Sequence, residues 1–320
     1  MRPLVLLVCL FVGNSIAFPM IWKECKLLDM SHDLSNTTTI YPIKDYLNNP
    51  FKLHTMIKGM AGPGTVGGEK FFVHYNRFSA VEHISTHMDA PKHVLATFDE
   101  SKKAKTVDQV ELGSLVGEAC VIGVPEKHKN EVDYRITVED VLEWEEEHGK
   151  LHEDCIVIIR SGMEKHWGNT NAYLGSKDAS HLDPNTGWPD DIHFPGLHWE
   201  TAKWIVEKRG MKAIGQDAMS FDYGQMRDFK YSVHSVVLGA NKPGFENLNN
   251  VHRLPPRGAT VIALPMLIKY GSGAPVRVMA IGWDGPDDPC RAGGGCVFGM
   301  DLRLTGLLLA AAYFRFSVNW

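Results

Sequence analysis

Alternation of apolar and polar positions, rich in β-branched residues, predicts strands over 25–30, 71–82, 118–124, 155–160, 212–216, 259–267 and 275–283. Two stretches carry the helical period instead. Thr137 with Asp140 three residues on resembles a capping box, Val141, Leu142 and Trp144 continue the pattern, and Gly149 stops it. His198 to Arg209 places Ala202, Ile205 and Val206 on one face and ends at Gly210. Each helix precedes a strand-like run, so the pattern predicts mixed α/β architecture with a substantial central sheet or barrel-like β core. No internal repeat or low-complexity linker interrupts it, which argues for one domain over residues 25–288.

A different pattern occupies 83–93, His-Ile-Ser-Thr-His-Met-Asp-Ala-Pro-Lys-His. His83, Ser85, His87, Asp89 and His93 share one parity, and Ile84, Thr86, Met88 and Ala90 take the other. Extended backbone sends alternate side chains to one face, so this stretch can aim a polar constellation at one point. Pro91 argues against a helix, because it lacks an amide donor and biases Ala90 away from helical angles. Neutral imidazoles with a carboxylate suit a borderline divalent ion such as zinc, or manganese where oxygen ligands add up. The segment reads as a metal site. His32, His54, His128, His148 and His252 carry no such pattern and read as structural.

Composition narrows the partners and the compartment. The formal charge of −5 is spread along the chain with no basic run that would track phosphates, so nucleic acid is not expected. Arg2, the apolar run Leu4 to Val12 and the small residues of Ser15-Ile16-Ala17 predict a removed secretory signal over residues 1–17. Asn36-Thr37-Thr38 then offers Asn36 as a glycan acceptor on a secreted protein. Removal of Cys9 leaves Cys25, Cys120, Cys155, Cys290 and Cys296. Cys120 and Cys155 fall in strand-like runs and read as small core residues, whereas Cys290 and Cys296 bracket a flexible Arg-Ala-Gly-Gly-Gly that lets a disulfide close. In the tail over 289–320, apolar Leu304 to Phe314 predicts an amphipathic or core helix; the alternative is a lipid-anchor attachment signal and a place at the cell surface. Gly62 to Gly67 matches the dinucleotide fingerprint literally, but Pro63 and the lack of a long helix after it make it a loop, one that could cover the site. The Gly-x-Ser-x-Gly elbow of the α/β-hydrolases is absent.

The segment His83 to His93 closely resembles the signature of the metal-dependent cyclase family, His-x-Gly-Thr-His-x-Asp-x-Pro-x-His, a family that includes bacterial-type kynurenine formamidases and isatin hydrolases. Leu28 to Leu34, Arg160-Ser161-Gly162, Trp167-Gly168, Pro195-Gly196-Leu197, Gly215 to Asp222 and the run from His234 to Val276 extend the resemblance over most of residues 25–283. It implies a swivelling β/β/α fold, a homo-oligomer, and one or two zinc or manganese ions. His83, His87 and Asp89 would be ligands, completed by His234 and Glu246, which reproduce the family's spacing of twelve. His93 would be a ligand of a second ion or the catalytic acid/base. Ser85 departs from the family glycine: it either strains a positive-φ turn or supplies a hydroxyl donor behind the ligands. Asp217 reads as a carboxylate orienting an imidazole, or equally as a cap.

The implied reaction has a physical rationale. Amide carbonyls are poor electrophiles and neutral water is a poor nucleophile; a divalent ion polarises the first and acidifies the second towards a pKa of roughly 7. His93, with an ordinary pKa of about 6.5, would shuttle the proton to the leaving amine. Phe71, Phe72, Trp167, Trp188 and Phe194 are candidates for an aromatic pocket, although each alone reads better as core. The expectation is a secreted metal-dependent amidohydrolase opening an aryl formamide such as N-formylkynurenine. The alternatives are ring-opening of an isatin-type lactam, and a secreted metal- or ligand-binding protein without turnover.

Overall fold

The computed structural model describes residues 27–282 apart from 40, 62–69, 125, 127–128 and 185–186. The predicted signal, Cys25, the Gly62 to Gly67 loop, His128, Cys290, Cys296 and the C-terminal tail lie outside the described residues. Twelve strands are described: β1 Leu28–Asp29, β2 Lys52–Ala61, β3 Phe71–Ser79, β4 His87–Asp89, β5 Val116–Gly123, β6 Arg135–Ile136, β7 Cys155–Arg160, β8 Gly196–Leu197, β9 Ala213–Gln216, β10 Gly244–Glu246, β11 Thr260–Pro265 and β12 Gly273–Ile281. Of the six described α-helices, three pack beside the parallel strands: α1 Val138–His148, α2 Trp199–Lys208 and α3 Val233–Gly239.

Seven strands close a barrel-like sheet in the order β12, β11, β5, β7, β9, β10, β4 and back to β12, with β1 added on β12. The β5–β7–β9–β10 wall is parallel, and β4, β11 and β12 pair antiparallel. The parallel wall explains the unbroken apolar run Cys-Ile-Val-Ile-Ile in β7. Ile156 and Ile158 fill the barrel interior, while Val157 and Ile159 meet the layer of helices outside. Strand β12 alternates instead: Ala274, Val276, Val278 and Ala280 turn inward and Arg277 outward.

Both predicted helices form. Thr137 and Asp140 make the reciprocal cap of α1, and Gly149 follows its last turn; α2 runs over Trp199–Lys208 as its apolar face requires. Cys120 and Cys155 are not separate core residues. They are joined as a disulfide between neighbouring parallel strands, Cα atoms 5.7 Å apart. Strands β2 and β3 leave the barrel as a two-stranded ribbon with its own ladder.

Candidate metal centre

The predicted extended ribbon is realised only at its centre. His87–Asp89 form β4, but Ser85 takes φ +54°, which breaks the alternation, and Pro91 starts a turn closed by the His93 amide on the Ala90 carbonyl. Strand β4 lies between β10 and β12, with Glu246 directly opposite His87 and glycines Gly244 and Gly273 opposite Asp89. Met88 and Phe245 enter the barrel core, so His87, Asp89 and Glu246 face the other way, where His87 and Glu246 line a cavity and Asp89 is buried beneath it. His234 reaches the same point from the first turn of α3. Gly273 permits the approach of β12: a Cβ there would lie 2.4 Å from Cε1 of His83.

These side chains converge. His87 Nε2 lies 3.3 Å from Asp89 Oδ1 and 3.4 Å from Glu246 Oε2; His234 Nε2 lies 3.3 Å from Asp89 Oδ2 and 3.2 Å from Glu246 Oε1. Each imidazole is oriented through its other nitrogen. His87 Nδ1 donates to the Ser85 carbonyl at 2.9 Å, and His234 Nδ1 meets Asp222 Oδ2 at 2.5 Å, which leaves both Nε2 atoms aimed at the carboxylates. His83 sits on the far side of Asp89, its Nδ1 2.7 Å from Oδ1 and its Nε2 3.0 Å from Ser272 Oγ. His93 stacks on His83 with ring centroids 3.7 Å apart. Asp89 thus joins two groups of metal-ligand composition, His87–Asp89–Glu246 and His83–Asp89–His93.

A divalent cation fits this donor set. Asp89 Oδ2 and Glu246 Oε1 are buried with no hydrogen-bond partner, an arrangement that is costly unless something positive lies against them. The nitrogen–oxygen separations resemble the edges of a coordination shell with bonds of about 2.1 Å. The electrostatics agree. Burial opposes charge on Asp89, yet the imidazoles of His93, His234 and His83 hold its carboxyl well below the usual range. Burial and the charge of Asp89 push Glu246 up. Burial lowers His87 and His234, but their carboxylate neighbours more than offset it and raise both. The field that draws protons to these nitrogens is one that a cation would satisfy. Burial takes His93 down to about 3, against the pull of Asp89.

Several expected roles change. Ser85 contributes its carbonyl, not its hydroxyl, to the imidazole; the hydroxyl donates to the carbonyls of His32 and Asp33. Asp217 orients no imidazole: it accepts from the amides of Ser161 and Gly162 and from Ser161 Oγ, and burial pushes its pKa up to about 6. The carboxylate behind an imidazole is Asp222, five residues on in the quoted Gly215 to Asp222 stretch. Of the aromatic candidates Trp188 lines the cavity. Trp167 stacks on His32, Phe194 is core, and Phe71 and Phe72 stand on the exposed ribbon. Sequence reasoning missed Tyr41, Tyr46 and Phe229, which line the cavity with Trp188. His252 is held by Glu164, in keeping with a structural role. Asn36 is exposed on a turn. Another group with metal-ligand composition, Glu118, Cys120, His152 and Cys155, has its sulfurs bonded to each other and Glu118 engaged by Arg257.

Comparison with known proteins agrees with this geometry. The Cyclase family model matches residues 28–223. The chain is 27% identical over 216 residues to an isatin hydrolase of Roseibium aggregatum, covering 66% of this chain and 75% of that protein. It is 27% identical over 205 residues to a kynurenine formamidase of Salinibacter ruber, covering 64% and 77%. The solved isatin hydrolase A from Ralstonia solanacearum superposes with a TM-score of 0.69 at 27% identity, over 84% of this chain and 96% of that one. The family match takes in the His83 to His93 segment and strands β5, β7 and β9. The chain therefore belongs to the Cyclase family, as a hydrolase related to isatin hydrolases and kynurenine formamidases.

Proposed function

We propose that the chain is a metal-dependent amidohydrolase that cleaves the acyl C–N bond of a small N-aryl amide. The substrate is either a cyclic lactam of the isatin type or an open formamide such as N-formylkynurenine. One observation carries the reading: two buried carboxylate oxygens without a hydrogen bond and a set of oriented imidazoles meet at the floor of a cavity of about 170 Å3 walled by Tyr41, Tyr46, Trp188 and Phe229. The lactam is the first substrate to test, because isatin hydrolases recur among both the sequence and the structural relatives.

His87, Asp89, His234 and Glu246 would hold a zinc or manganese ion, with His83 and His93 flanking Asp89 for a second. A bound ion supplies Lewis acidity toward the amide carbonyl and toward water. The residues do the rest. Trp188 and Phe229 hold the aryl ring by apolar and edge contacts. Tyr41 and Tyr46 line the cavity with no protein hydrogen-bond partner among the described residues, and burial pushes Tyr41 up to about 12 and Tyr46 higher, so both keep their protons. They serve as donors to the carbonyl oxygen as charge builds on it. His93, which lines the cavity beside His83, takes the proton of the attacking water on a ring nitrogen. It then passes that proton to the leaving aryl nitrogen as the C–N bond breaks. The products are a carboxylate and an aryl amine.

We also propose passage through the secretory pathway. The disulfide between Cys120 and Cys155 and the exposed Asn36 sequon support it, since such bonds persist in oxidising compartments. The deciding assay offers purified chain isatin and N-formylkynurenine, before and after chelation and after zinc or manganese is restored. Turnover of either that survives full chelation would sink the mechanism. Metal bound with no turnover of any aryl amide would favour the non-catalytic binding protein.

A further inference from the structure

His87 and His234 are each held through Nδ1 by an acceptor behind the ring; His83 is held through its other nitrogen. Its Nε2 lies 3.0 Å from Ser272 Oγ, and its Nδ1 faces Asp89. Glu82, the residue before His83, completes the arrangement. Glu82 Oε2 accepts from Ser272 Oγ at 2.7 Å, from the Ser272 amide at 2.9 Å and from the Gly273 amide at 3.3 Å.

The segment that carries the hydroxyl is fitted to these two side chains. It reads Gly271-Ser272-Gly273. A Cβ at Gly271 would lie 3.0 Å from Glu82 Oε1, and one at Gly273 2.4 Å from His83 Cε1, so the glycines make room for the carboxylate and the ring on either side of the serine. The backbone is pinned as well. The Gly271 carbonyl accepts from the Val107 amide and the Ser272 carbonyl from the Ala90 amide, each at 2.9 Å, and Gly273 opens β12 directly opposite Asp89. A paired strand end, not a free loop, presents the hydroxyl to His83.

The direction of the hydrogen bonds follows from the donor count. A serine hydroxyl has one proton to give, and an ionised carboxylate can only accept. The charge-assisted bond to Glu82 takes that proton, so the lone pairs of Ser272 Oγ face His83 and the contact needs a proton on Nε2. A neutral imidazole has a single N–H, which leaves Nδ1 with its lone pair, 2.7 Å from Asp89 Oδ1. A nitrogen so placed can hold a proton against the carboxylate and give it up to a cation.

We propose that Glu82 and Ser272 are positioning residues of the metal centre: by keeping a proton on His83 Nε2 they dedicate Nδ1 to a cation shared with Asp89. His83 then binds through the ring nitrogen opposite to the one that His87 and His234 offer. The negative charge of Glu82 behind the ring also makes Nδ1 a more basic ligand. The proposal rests on the reading that this centre holds a divalent ion, and is independent of which amide is cleaved.

Nitrogen NMR of the zinc-loaded full chain, isotopically labelled in its histidines and with the His83 ring assigned, reads the tautomer; competitive chelator titration reads affinity. In wild type, His83 should carry its proton on Nε2 and show a zinc-shifted Nδ1. Ser272→Ala should weaken the binding of at least one zinc ion by about 10–100-fold and lose that signature. Ser272→Thr, which keeps the hydroxyl, should restore both, and Glu82→Gln, which keeps an acceptor without the charge, should fall between. Melting temperatures followed alongside separate a role in the fold. A Ser272→Ala chain that melts lower yet binds zinc as wild type does overturns the proposal, and so does a wild-type His83 that meets zinc through Nε2 or not at all. A wild-type chain that retains no zinc would remove the metal centre itself, and this proposal with it.

Discussion

Ser85 shows how one residue can serve the site by an unexpected route. A positive φ on a non-glycine residue costs on the order of 1 kcal/mol, yet two hydrogen bonds from its hydroxyl to the His32 and Asp33 carbonyls offset that strain. The turn delivers the Ser85 carbonyl to His87 Nδ1 and so fixes which nitrogen faces the carboxylates. Asp222 does the same for His234. Asp222→Asn is therefore expected to weaken metal binding by about 10–100-fold while Asp217→Asn leaves it unchanged; competitive chelator titration reads both. Asp89→Ala should abolish metal retention, because Asp89 joins both ligand groups. His93→Ala should keep at least one ion and lose most turnover, the pattern of a proton carrier. Elemental analysis beside steady-state kinetics separates them, and full metal content in the Asp89 variant would refute its role.

At the scale of elements, the centre exists because a three-residue strand is gripped from both sides. β10 places Glu246 opposite His87, while Gly244 and Gly273 leave room beside Asp89 for the rings of Phe221 and His83. Gly273→Ala should cost about 1–3 kcal/mol, the usual range for overpacking a tight site, and should lower metal affinity as His83 is displaced. Urea unfolding and metal titration of one sample would show both effects together. Far from the centre, the Cys120–Cys155 bond spans a sequence separation of 35. Its loss in a Cys120→Ser, Cys155→Ser variant should cost about 3–4 kcal/mol by loop-closure entropy with metal binding intact. Equal melting temperatures with and without the bond would exclude that role.

For the whole molecule, the centre should set the pH dependence of stability, with opposite signs in its two states. Without an ion, His87 and His234 have pKa values raised above 6.5 by Asp89, Glu246 and Asp222. Their stabilisation is complete below the unfolded pKa and fades as pH rises through the folded ones. With an ion, protons compete for the same nitrogens, so affinity climbs with pH. Chelated protein should thus melt higher at pH 6 than at pH 8 and loaded protein the reverse; parallel curves would mean that these imidazoles do not bind metal. Much of this was legible in the chain. Local rules sufficed where an element carries its own signal: the capping box of α1, the apolar face of α2, the doubly buried β7, and the close spacing of His83, His87, Asp89 and His93. The rest depended on contacts between distant segments. Nothing local marks β10 as the strand beside β4, α3 is too short and too uniformly buried to show a helical stripe, and Asp222 finds His234 only after the chain has turned back. The exposed ribbon, too, has the alternation of an ordinary strand until the fold leaves it without a layer to cover it. The sequence alone determined which donors were present and the type of the longer elements, because propensity, capping and ligand chemistry act over a few residues. Tertiary structure decided which nitrogen faces which oxygen and which apolar face stays open, because those depend on barrel closure, and closure is a property of the whole chain.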